Sequence, residues 1–269
     1  MTACIHSFLP KASSSPVRDT EEKTSLLECC VDSLPSALQA QKGGAQRLEL
    51  CANLVIGGTT PSLTLFQQIR ERISLPIHIL IRPRFGDFLY QEYEREEMCA
   101  SIDTFRTAGA DGVVIGCLSP DGSLDLTAMK QLISHAAGMK LTMHRAFDMC
   151  ADPFQTLEDA ISLGIHTILT SGCQPSALAG STMLSSLSEQ AGDRIHIMAG
   201  AGIDADAVKE LLHTTPIRHF HMSGKIRKES GMVYRNPQIS MGLPGISEYE
   251  QMETDAECVA RVRRLLKEC

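Results

Sequence analysis

The sequence predicts a single (β/α)8 barrel, a TIM-like fold, and three observations lead there. Short β-branched or aliphatic runs recur eight times, at spacings of roughly 20 to 35 residues, the period of a strand with its return helix. A longer stretch with helical periodicity follows each run. Several of those stretches stop on glycine just before the next strand. Eight such units in series close on themselves more naturally than they spread into an open sheet. Periodicity alone leaves a doubly wound sheet as the competing architecture.

The elements follow in order. Residues 26–31 open the series, and residues 47–51 come after the stop at Gly43-Gly44-Ala45. Pro76 introduces the third strand at 77–83, and Gly109-Ala110-Asp111 the fourth at 112–117. Residues 140–145 form the fifth, and Leu163-Gly164 precedes the sixth at 167–170. Residues 194–198 are the seventh, and Pro216 marks the entry to the eighth at 217–222. Amphipathic stretches at 92–108, 126–137 and 205–213 supply outer helices. Residues 223–244, rich in Gly, Ser, Lys and Arg, read as a long loop. Helical periodicity returns at 254–269, with Val259, Val262, Leu265 and Leu266 on one face. The barrel domain is thus 26–269, preceded by a disordered tail at 1–25.

Composition narrows the function classes. The 269 residues are 43% hydrophobic, without Trp and only 4% aromatic, so aliphatic side chains must interlock to fill the core. A net charge of −7 with no basic run argues against nucleic acid or an anionic membrane surface as partner. No apolar stretch approaches the roughly 18 residues that span a bilayer. Residues 1–24 also lack the unbroken apolar segment of a secretory signal. The ten cysteines are scattered through a chain large enough to fold without staples. They read as reduced, and the compartment as cytoplasm or nucleus.

In a parallel barrel, side chains alternate between the interior and the helix layer, and a buried unpaired charge is costly. Strands ending in charge are therefore informative. The first places Glu28, Cys30 and Asp32 on one face, and the second repeats this with Glu49, Cys51 and Asn53. The third ends with Arg82 and Arg84, the fifth with His144 and Arg145, followed by Asp148. One such residue would read as an ion pair plugging the barrel. Convergence from four strands points to the C-terminal face, where barrel active sites lie. Glu28, Glu49, Arg82, His144, Arg145 and Asp148 form the candidate catalytic set. The arginines would hold a carboxylate or phosphate, His144 would act as acid or base near its ordinary pKa of roughly 6.5, and a glutamate would be its partner. That set suits a lyase, isomerase or hydrolase working on a small phosphorylated or carboxylated metabolite.

Two further groups stand out. Arg84, with Ser171, Gly172, Gly200, Gly202 and Ser223 in the turns after the late strands, could bind an anion on side chain and backbone N–H groups. Tight turns would need the same glycines. Cys30 and Cys51 occupy matching positions on neighbouring strands. Two thiolates without His at chelating spacing suit Cu(I) better than tetrahedral Zn(II). Cys29, Cys99, Cys117, Cys150 and Cys258 read as small buried hydrophobes.

The segments ECCVDS (28–33), GGAQRLELCANLVIGGTTPS (43–62), IRPRFGDFLY (81–90), GADGVVIGCL (109–118), HRAFDM (144–149), LTSGC (169–173) and SGMVYRN (230–236) resemble the CutC family of copper homeostasis proteins. The resemblance covers nearly the whole chain from Leu26. It implies a (β/α)8-like barrel, a mainly cytoplasmic homo-oligomer (dimer or tetramer) and a role in handling copper. Cys30 and Cys51 align with the family's cysteines implicated in Cu(I) binding. The turn after the seventh strand departs from the family's usual three glycines and reads Gly200-Ala201-Gly202. No agreed reaction attaches to the family. Two functional expectations follow: a Cu(I)-binding protein acting through Cys30 and Cys51, and an enzyme of a small anionic metabolite acting through the charged cluster. A purely structural or partner-docking barrel is opposed by that cluster.

Overall fold

Eight parallel strands pair in sequence order and close, β8 returning to β1, in a computed structural model that describes residues 25–239, 241–242, 245 and 247–268. The strands are β1 (Leu26–Val31), β2 (Arg47–Leu50), β3 (Ile77–Leu80), β4 (Gly112–Ile115), β5 (Lys140–Met143), β6 (Thr167–Thr170), β7 (His196–Ala199) and β8 (His219–Met222). The helices around them are α1 (Leu34–Gly43), α2 (Leu63–Arg70), α3 (Glu92–Thr107), α4 (Leu126–His135), α5 (Pro153–Ser162), α6 (Ser181–Ala191), α7 (Ala205–Thr214) and α8 (Ala256–Lys267). The expected tail lies outside the described residues except for Ser25, whose Oγ donates to the Leu266 carbonyl at 3.1 Å.

Local chemistry sets the boundaries. Ser33, Ser62, Asp125, Asp152, Asp204 and Asp255 cap their helices through side-chain oxygens that accept backbone N–H groups. Gly44, Gly109 and Gly164 adopt left-handed φ at the helix stops read from the sequence. Outward residues such as Leu27, Cys29 and Val31 on β1 pack with the helices into one continuous apolar layer. Their inward neighbours on the same strand, Glu28 and Cys30, face the barrel axis.

The expectation of a loop over residues 223–244 is corrected in part. Lys225–Glu229 forms a strand, β9, antiparallel to β10 (Glu250–Thr254). Their alternating charges pair across the ribbon, Lys228 with Glu253 at 2.8 Å and Arg227 with Glu250 at 3.4 Å. The backbone N–H of Thr254 donates to Ser36 Oγ at 3.1 Å. That bond ties the ribbon to α1 before the chain enters α8. The last helix therefore starts at Ala256, its predicted first residue being taken by β10.

Candidate functional site

The barrel interior carries a charged seam where β1 meets its two neighbours. Glu28 registers with Arg47 of β2 on one side and His221 of β8 on the other. Arg47 Nε donates to Glu28 Oε2, and His221 Nδ1 lies 2.7 Å from Glu28 Oε1. Burial opposes the charge on Glu28, but Arg47 and then His221 outweigh it and hold the carboxyl well below its usual range. Burial likewise opposes the charge on His221. Cys30, Glu49 and Glu28 outweigh that effect and keep the imidazole protonated well above its usual range. His221 Nδ1–H therefore donates to Glu28, which orients the ring.

The oriented ring faces two more donors. Ligand atoms of Cys30, Glu49 and His221 all lie within 4.8 Å of one another. Glu49 Oε2 is 3.7 Å from His221 Nε2, and the Cys30 thiol donates to the Met222 carbonyl at 3.6 Å. Cys51 stands beside this trio, its thiol donating to Glu49 Oε2 at 3.4 Å. It shares a small buried apolar cluster with Cys30, Leu80 and Val114. Burial and the adjacent Glu49 push its thiol pKa up. Glu49 itself is raised, chiefly by burial, with Glu28 adding repulsion against the pull of His221. A thiol, a carboxylate and a carboxylate-oriented imidazole can together hold a metal ion.

The trio lines one side of a cavity of about 430 Å³ at the C-terminal ends of the strands. Across from it stand Arg82, Phe88, His144 and Arg145, with Gly202, Ser223 and Lys225 on the remaining rim. Arg82 is a loop clip as well as a wall. Its Nη1 donates to the carbonyls of Gly57 and Gly58, at 3.2 and 3.0 Å, and Nη2 to that of Gly86 at 2.8 Å. His144 Nδ1 accepts the Ala146 N–H at 3.1 Å. Burial, reinforced by Arg82, pushes its pKa down to about 3. The sequence reading gave it an ordinary titration near neutrality; the structure makes it a neutral ring whose proton is on Nε2.

The other candidates are placed differently. Asp148 accepts from Arg145 Nε at 2.6 Å and from the backbone N–H groups of Ser171 and Cys173 at 3.0 and 3.1 Å, bracing the turns after β5 and β6. Ser171 Oγ donates to the Gln174 carbonyl at 2.5 Å and accepts from Arg145. Arg84 is tied to Glu94 at 2.6 Å and Asp87 at 3.0 Å. Arg84, Asp148, Ser171, Gly172 and Gly200 are not among the residues lining the cavity, whereas Gly202 and Ser223 are.

His221, Arg47, Phe88 and Lys225 were not singled out from the sequence. The signal for His221 was the alternation in HFHM, where Phe220 and Met222 face the helices and His219 and His221 the axis. Space for the rings comes from β4 and its extension. A Cβ on Gly116 would lie 2.7 Å from the His144 ring, and one on Gly112 2.6 Å from that of His78.

The closed eightfold barrel with a polar mouth defines the TIM class of fold, and sequence comparison places the chain within it. The model of the CutC family matches residues 25–226. The chain is 47% identical over 242 residues to a family protein CutC of Porphyromonas gingivalis, covering 90% of this chain and 98% of the other. It is 42% identical to the human copper homeostasis protein cutC homolog, covering 89% and 87% respectively. The crystal structure of CutC from Streptococcus agalactiae superimposes with a TM-score of 0.71 at 28% identity, covering 74% of this chain and 99% of that one. The chain belongs to the CutC family. No helix among the described residues is long and apolar enough to cross a membrane.

Proposed function

We propose that the chain binds Cu(I) at the mouth of its barrel, with Cys30 and His221 as the principal ligands and Cys51 as the neighbouring second sulfur. The observation that carries this reading is the oriented trio. Glu28 fixes His221 by its Nδ1–H, so that release of the Nε2 proton on metal binding would free that nitrogen for the ion beside Cys30 and Glu49, all within 4.8 Å. A carboxylate behind a ligating imidazole is the usual support of a metal-binding histidine. Thiolate and imidazole together favour a soft or borderline ion over Mg²⁺ or Ca²⁺. Relatives named for copper homeostasis agree with that choice. Eight cysteines among the described residues are free, in keeping with a reducing cytoplasmic setting. A homo-oligomer, dimer or tetramer, belongs to the same reading.

Titration of the reduced protein with Cu(I) against a competing chelator tests it. Cys30→Ser/Cys51→Ser and His221→Ala should each weaken binding at least roughly tenfold, the lower end expected for losing a ligand or its support. Affinities equal to that of the unmodified chain would reject the assignment.

A further inference from the structure

We infer that the cavity also binds a small oxyanion, a carboxylate or a phosphate, through the Nε2–H of His144. The inference concerns the wall opposite the thiols and is independent of copper. Three observations converge on it. Among the described residues, His144 Nε2 is one of the few buried side-chain nitrogens without a hydrogen-bond partner, although the residue lines the cavity. An unpaired buried donor is destabilising, so a fold that keeps one in a cavity wall has a use for it. Its other nitrogen is occupied by the Ala146 N–H, which fixes the proton on Nε2 and rules out the opposite tautomer.

The surroundings select the charge of the ligand. Arg82, Arg145 and Lys225 line the same cavity, with Glu49 as the facing carboxylate. Arg82 also has a buried Nε without a partner. Phe88 packs beside both groups: its ring centroid is 4.9 Å from that of His144, and Arg82 Cζ lies 5.1 Å from the Phe88 centroid. Phe88 sits between Gly86 and the start of α3 and lines the same cavity as His144. A neutral imidazole donates to an anion without surrendering its proton, which makes His144 a binding residue in this site.

The test uses the full chain, titrated calorimetrically with oxalate and, separately, with inorganic phosphate. His144→Asn keeps an acceptor for the Ala146 N–H but removes the distal donor; His144→Gln keeps a donor near Nε2. At least one anion should bind, roughly ten- to hundredfold more weakly to the Asn variant, with recovery in the Gln variant. Whichever anion binds identifies the ligand class. Histidine-labelled NMR of the unmodified chain should show the Nε2–H tautomer and a shift of that resonance on titration. Failure of both anions to bind, unchanged affinity in the Asn variant, or a resonance that does not move would each overturn the inference. Cys30→Ser/Cys51→Ser should retain anion binding, so a failed copper titration and a failed anion titration remain distinguishable.

Discussion

Glu28 is fully buried on an inward position where barrels of this kind ordinarily pack a branched aliphatic side chain. It tolerates the position because Arg47 and His221 flank it, and removing either would leave an uncompensated buried charge. The histidines around the axis divide by charge. His221 is protonated, whereas burial and Arg47 push His78 down to about 4, and burial and Arg82 push His144 to about 3. The unfolded chain binds its histidine protons near 6.5. Below that value the unfolded state takes up protons that folded His78 and His144 refuse, so stability falls as pH drops from about 6.5 toward 4. His221 has the opposite sign: its contribution is full below 6.5 and is lost as pH rises toward its folded pKa. Stability should therefore peak near pH 6.5, each group contributing a slope of up to about 1.4 kcal/mol per pH unit. Urea midpoints across pH 5 to 8 check this, and His144→Asn should flatten the acidic limb; a monotonic profile contradicts it. At this scale the sequence revealed Glu28, Cys30, Glu49, Arg82 and His144 through their inward parity. Arg84 and Asp148 carry the same signature but are held by neighbouring loops, because a charge at a strand end reads identically whether it meets a cavity or a turn. Arg47 looked like the entry to a strand until β1 supplied its partner.

Among the connecting elements, the turn after β7 is one of three that hold a non-glycine residue in the left-handed region, with those at Asn53 and Cys173. Ala201 has φ 75° and is followed by Gly202 at φ 72°, a left-handed conformation that costs an L-residue roughly 1–2 kcal/mol. Ala201→Gly relieves that strain while loosening the unfolded chain, for a net gain of about 0.5–1 kcal/mol. A denaturant midpoint that does not rise would show the strain to be absorbed elsewhere. The strands were legible because each is a short apolar run with a glycine or proline before it. Their C-terminal ends were not: β3 stops at Leu80 and β5 at Met143, where residues expected in the strands leave the ladder to build the cavity rim. The β9–β10 ribbon escaped notice because its strands, KIRKE and EQMET, lack an apolar face, and their pairing rests on charges separated by a long connection.

At the level of the whole molecule, closure joins the two ends of the barrel. β8 pairs with β1, Leu26 to His219, and α8 packs against α1 and α7. α8 buries Val259, Val262 and Leu266, worth about 1.5–3 kcal/mol each, against a total stability on the order of 5–15 kcal/mol for a domain. Removing residues 255–269 should leave a chain without a cooperative thermal transition, followed by circular dichroism; a truncated chain melting at the temperature of the full one would contradict this. The join across the seam bears on how the protein is made. A growing chain leaves the ribosome with β1 first and β8 almost last, so β1 waits with one edge open for the synthesis of nearly two hundred residues. An exposed apolar edge of that kind invites pairing with other nascent chains. In this protein the waiting strand carries Glu28 in its middle, and the carboxylate stays hydrated until Arg47 and, much later, His221 arrive. The residue that orients the candidate ligand thus also places an inward charge on the open edge of the unfinished barrel, a feature that disfavours edge-to-edge pairing.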